Sequence, residues 1–139
     1  MLENPKVNIK IKLASLWASA TFCYLYGDYF ELYTPNKVNS LISGDNIMDS
    51  PTTLLIASII LAIPSIMVCL SIFLKPKINR ILNIIFGTIF TIMMVFIGIM
   101  STNEWYLFYV FLAFLESIIT GLIVWNAWKW PKINLKNEN

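Results

Sequence analysis

Four apolar stretches, each close to 20 residues long and bounded by charges, prolines or polar turns, decide what this chain can become. That length matches the hydrocarbon thickness of a bilayer, where a helix satisfies its own backbone without water. The stretches cover residues 13–33, 52–74, 80–100 and 105–128. The expected fold is all-α and membrane-embedded, an antiparallel bundle of four transmembrane helices forming one domain over residues 1–139. The chain is 58% hydrophobic and 13% charged, whereas a soluble domain carries about 25% charged residues. No small-residue cleavage site follows a short apolar region near the start, so the first span is expected to act as its own insertion signal.

Nine of the ten Lys and Arg residues fall on one side of this arrangement. Lys6, Lys10 and Lys12 precede the first span. Lys75, Lys77 and Arg80 separate the second from the third, and Lys129, Lys132 and Lys136 follow the fourth. Only Lys37 lies in the opposite loops. Basic residues stay cytoplasmic, so both termini are expected inside. Orientation and anionic lipid account for these clusters, so the bilayer and not nucleic acid is the expected partner. All six tyrosines fall in the expected outer halves, while Trp125, Trp128 and Trp130 mark the inner boundary and Trp105 the outer one.

The connections carry their own signals. Thr34-Pro35 reads as a cap followed by proline at the first helical position, and Gly44 as a stop. A short helix over residues 35–43 is therefore expected on the outer surface. Ser50-Pro51 repeats the cap-then-proline signal at the start of span two, and Ser101 to Glu104 fits a capping box opening span four. Cys23 and Cys69 stand at about 15 and 8 Å depth, counting about 1.5 Å per residue from the inner boundary. They are expected as buried free thiols.

The candidate site follows from the acids. Span one places Trp17, Thr21, Tyr24, Asp28 and Glu31 on one face at helical spacing. Its six Leu and Phe residues favour insertion by only about 0.3 to 0.6 kcal/mol each. A central carboxylate costs about 2.5 to 3.5 kcal/mol, so this helix leans on its neighbours. Span four places Glu116 near its centre among twelve Leu, Ile, Val and Phe residues, which together contribute about −5 kcal/mol. Asp28 and Glu116 differ in depth by about 9 Å. They can line one path without sharing a proton, and no basic side chain is expected at their depth. Protonation or hydrogen bonds from Tyr, Thr, Ser, Asn and water must neutralise them. Pro64 in span two is expected to kink its helix and free the carbonyl of Ile60, with Ser58 and Ser65 nearby to meet it. Thr120 follows Glu116 by one helical turn.

Helix packing is expected from small residues, which let backbones approach closely. Gly87, Thr91 and Gly98 supply them on span three, and Ala113, Ser117 and Gly121 on span four. The chain has no histidine. It also lacks a CxxC pair, a nucleotide loop and a metal-ligand spacing, so no cofactor or metal is expected.

Through Leu16-Trp17, Tyr26 and Asp28 in span one, and Glu116, Trp125 and Ala127-Trp128 in span four, the chain resembles a family of small four-span bacterial membrane proteins without assigned function. The resemblance runs from Leu13 to Pro131. It implies a four-helix architecture in a prokaryotic cytoplasmic membrane, and no activity. Three functions are therefore weighed. The first is a structural or partner-binding bundle, whose partner is a second copy of the chain (a homo-oligomer) or another membrane protein. The second is a small oligomeric transporter or channel for protons or cations using Asp28 and Glu116. The third is a membrane enzyme or binder for a lipid-like ligand.

Overall fold

A computed structural model describes residues 2–3, 5–101 and 103–131. Its elements are α1 (Ile9–Glu31), α2 (Lys37–Ser43), α3 (Pro51–Phe73), α4 (Pro76–Met100), a 3-10 turn (Glu104–Tyr106) and α5 (Leu107–Trp128). There is no strand among the described residues. Three helical segments, Pro51–Phe73, Pro76–Met100 and Glu104–Trp128, are long and apolar enough to cross a membrane. The fourth long helix, α1, carries Lys10, Lys12, Asp28 and Glu31 within its 23 residues and is less apolar.

Local chemistry sets the helix starts. The Asn8 side chain accepts from the Lys10 amide at 2.9 Å and opens α1. The Ser50 hydroxyl accepts from the Thr53 amide at 3.2 Å, with Pro51 already holding a helical φ. Pro76 does the same for α4, which therefore begins ahead of Arg80. Two of the expected caps do not form. The Thr34 hydroxyl turns back to the Glu31 carbonyl at 2.8 Å, closing α1 and leaving nothing to cap a helix at Pro35. Asn36 then takes a left-handed φ of 64°, and α2 begins at Lys37. The capping box at Ser101 does not form either. Its hydroxyl bonds the Ile97 carbonyl at 2.9 Å, and Asn103 caps the 3-10 turn by accepting from the Trp105 amide at 3.0 Å. Thr102 of that motif lies outside the described residues.

The long helices alternate in direction. In space the order is α4, α5, α1, α3, with α4 against α5 and α1 between α5 and α3. The α3–α4 pair touches only sparingly. The end at which α1 begins and α5 stops is tight. Leu13, Trp17, Met67, Phe90, Ile123 and Ala127 are buried there, drawn from all of the long helices. Phe90 meets the Trp17 ring edge-on with centroids 6.0 Å apart. The far end is looser, since α3 contributes no buried residue before Pro64.

Lipid tails are as apolar as leucine, so packing and interhelical hydrogen bonds hold such a bundle together. One buried polar string does this here. The Trp17 indole donates to Asn83 Oδ1 at 2.8 Å, the Asn83 amide donates to Asn79 Oδ1 at 2.7 Å, and the Asn79 amide reaches the Ser71 carbonyl. It ties α1, α3 and α4 together. Basic side chains finish the same end. Lys10 Nζ donates to the carbonyls of Ile72 and Leu74 at 3.1 and 2.7 Å, closing α3. Arg80 donates to those of Ala127 and Trp128 at 3.2 and 3.3 Å, closing α5.

Candidate functional site

Glu116 sits on the inward face of α5, with Ala113 one turn before it and Thr120 one turn after, and is 3% exposed. Its backbone is well served: the Thr120 hydroxyl donates to its carbonyl at 2.8 Å. The Thr120 hydroxyl also lies 2.8 Å from that of Thr91, which links α5 to α4. Its carboxyl is not served. No hydrogen bond or ion pair among the described residues reaches it. Beside it is a cavity of about 10 Å³, lined by Tyr24, Gly27, Met94, Tyr109, Leu112, Ala113 and Glu116. That volume is at the lower limit for one water molecule.

Tyr24 supplies a second oddity. Its ring packs 5.8 Å from Phe90, and its hydroxyl is buried with no partner. A buried hydroxyl without a bond costs about 1 to 3 kcal/mol. Two unsatisfied polar groups therefore border one cavity. Gly27 completes the wall, and a Cβ there would make ordinary contact, 3.5 Å from the Tyr109 ring and 3.7 Å from Leu112.

Above this cavity lies the far-end rim. Asp28 shares the helix face of Tyr24, yet it is exposed, and the first half of α3 contributes no buried residue near that end. The expectation that these acids lack a basic partner fails for Glu31. Lys37, at the start of α2, reaches it at 2.6 Å, and the Tyr106 hydroxyl donates to the same oxygen at 3.4 Å. Phe30, Phe108, Tyr106 and Tyr109 pack round this rim with centroids 5.9 to 6.3 Å apart.

The other singled-out residues lie elsewhere. Trp17 is wholly buried in the tight end, and Thr21 bonds the Trp17 carbonyl at 2.9 Å. Pro64 is buried in an unbroken α3 and lines no cavity, and the Ser58 hydroxyl bonds Leu54, not Ile60. Gly87 is a true close approach: a Cβ there would come within 2.8 Å of Val124 Cγ2. Gly98 faces Ala113 at 3.5 Å, and Ser117 bonds the Ala113 carbonyl at 2.7 Å. Gly121 has nothing within 4 Å, so it makes no close contact. Cys69 is exposed on the outside of the bundle and Cys23 partly buried, in place of two buried thiols. Among the described residues no group of His, Cys, Asp and Glu could hold a metal ion.

Tyr109, Met94, Leu112 and Gly27 line the cavity without having been singled out. Tyr109 had a visible signal, since it precedes Glu116 by seven residues, two helical turns along one face. Met94 and Ala113 also border a second space, an apolar groove of about 530 Å³ on the outside of α4 and α5.

No curated protein and no solved structure matches the chain. One family does match, over residues 4–137, nearly the whole length. The chain thus belongs to a family of unknown function, DUF6326.

Proposed function

We propose that this is a four-span protein of the prokaryotic cytoplasmic membrane, with both termini inside, whose working group is Glu116. On this reading the site loads a proton or a small cation from the outer face. The observation that carries it is that Glu116, 3% exposed and with no bond to its carboxyl among the described residues, lines the same water-sized cavity as Tyr24, whose buried hydroxyl is also without a partner among them.

Several features support the membrane arrangement. α1 packs along both α3 and α5, so it crosses wherever they cross. The basic residues that close α3 and α5 lie at one end with both termini. On the opposite end, exposed Asp28 offers negative charge above the cavity. Below Glu116 the route is closed by Trp17, Phe90 and Ile123. Passage across the membrane then needs the helices to rearrange, which makes this a carrier and not an open channel.

Reconstituted vesicles test it. An acid-outside pH step should drive proton uptake that Glu116→Gln abolishes and Asp28→Asn reduces. Equal uptake in all three proteins overturns the reading.

The second reading is a structural or partner-binding bundle. It is favoured by the tight end, where the Trp17, Asn83, Asn79 and Ser71 string is buried and bonded. A bundle of that kind keeps its role in Glu116→Gln. The enzyme reading needs two carboxylates at one site, and Asp28 does not line the cavity.

A further inference from the structure

The cavity at Glu116 and the groove on the membrane-facing side of α4 and α5 are neighbours. Met94 and Ala113 border both. The groove is lined by Val95, Gly98, Val110 and Phe114, with Thr91 and Ser117 its hydroxyl-bearing residues. Its volume of about 530 Å³ falls within the range of small-molecule sites. The door between the two spaces is slight. Ala113 has only a methyl group, and the Met94 side chain is unbranched with three rotatable bonds.

We infer that this pair of spaces is a binding site for a primary ammonium carrying an apolar tail, entered sideways from the bilayer. The tail lies in the groove, and the head displaces Met94 and replaces the water-sized void beside Glu116. The inference rests on Glu116 as a binding group, and it names a ligand class for that site.

Three observations fix the chemistry. The carboxyl lacks a partner, and no Lys or Arg lines the cavity, so the complementary group is a cation. The cavity is the size of one water, which an –NH3+ group matches and a trimethylammonium exceeds. An ammonium has three donors and no acceptor, which suits the Glu116 carboxylate and the unpartnered Tyr24 oxygen together. A Ca2+ or Mg2+ ion takes about six or more oxygens, which is more than the cavity offers. The apolar groove leads to the site from the hydrocarbon, where an alkyl tail already resides.

The test uses the full chain in lipid nanodiscs and three probes of equal tail: octylammonium, octyltrimethylammonium and octanol. Octylammonium should raise the thermal midpoint saturably, and bind at least about tenfold more tightly to the native chain than to Glu116→Gln, the loss expected for one charge-assisted bond. Octyltrimethylammonium and octanol should not distinguish the two proteins. Val95→Trp fills the groove from an exposed position and leaves the cavity residues in place. It should weaken octylammonium binding while proton uptake persists. Equal octylammonium binding to the native chain and Glu116→Gln overturns the inference, as does tighter binding of the trimethyl probe. A nanodisc dimer crosslinked through the groove, indifferent to octylammonium, assigns the groove to a second copy and overturns it too. Uptake of protons without octylammonium binding leaves the proposed function standing alone; binding without uptake does the reverse.

Discussion

The Trp17 indole nitrogen and the Asn83 side-chain oxygen lie 2.8 Å apart in a part of the bundle that neither water nor lipid reaches. The bond joins α1 to α4, which otherwise meet through ring packing. Interhelical hydrogen bonds in membrane proteins contribute about 0.6 kcal/mol on average and up to about 1.7. This one should stand near the top of that range, because Asn83 also bonds Asn79 and through it α3. A double-mutant cycle with Trp17→Phe and Asn83→Ala, read by unfolding in mixed micelles, should show coupling of about 1 to 2 kcal/mol. Additive losses would mean that the string is not cooperative.

Gly87 and Gly121 look alike in the sequence and should behave oppositely. A Cβ on Gly87 would stand 2.8 Å from Val124 Cγ2, and a β-branched side chain has little room to yield. Gly87→Ala should cost about 1 to 3 kcal/mol, the range for overpacking. Adding Val124→Ala should recover much of that loss. Gly121→Ala meets nothing within 4 Å and should be neutral, or stabilising by up to about 1 kcal/mol through helix propensity. Thermal midpoints in one detergent decide both.

Lys10 and Arg80 do two jobs. They belong to the charge asymmetry from which orientation is read, and they donate to the last carbonyls of α3 and α5. Lys10→Gln should therefore lower stability by about 0.3 to 1 kcal/mol, the worth of a cation at a helix C-terminus. Lys6→Gln, which makes no such contact among the described residues, should not. If both cost the same, the capping contribution is absent.

Much of the fold was legible because hydrophobic length and helix punctuation are local properties. Ser50-Pro51 and Gly44 act through their own backbone, and a helix begins or ends there; Pro76 acts in the same way, but the expected span started only at Arg80. Thr34 was misread because its hydroxyl had two possible partners, and closing α1 behind it won over opening a helix ahead. The burial of Glu116 followed from the small residues beside it. The exposure of Asp28 did not, because it depends on how far α3 stands off α1 at the far end, which no residue of α1 encodes. Gly121 meets no neighbour within the chain for a related reason: a row of small residues says that a helix can approach, not which neighbour takes up the offer. Lys37 reaches Glu31 only because Asn36 reverses the chain with a positive φ.

Tyr24 gives the sharpest test of the cavity. Its hydroxyl and the Glu116 carboxyl are two buried polar groups with one water-sized space between the residues that carry them. Left dry, that arrangement costs about 1 to 3 kcal/mol for the hydroxyl alone. A single water bonded to both groups removes most of the penalty and gives Glu116 a route for its proton. Tyr24→Phe keeps the ring against Phe90 and deletes only the oxygen. With a bridging water present, the substitution should leave the fold intact, slow proton uptake in vesicles by about tenfold, and shift the Glu116 carboxyl band in the infrared. With the cavity dry, the same substitution should instead raise stability by about 1 kcal/mol or more and leave uptake unchanged. The first outcome is expected, because a hydroxyl and a carboxyl that share a cavity rarely stay unbonded when a water fits between them.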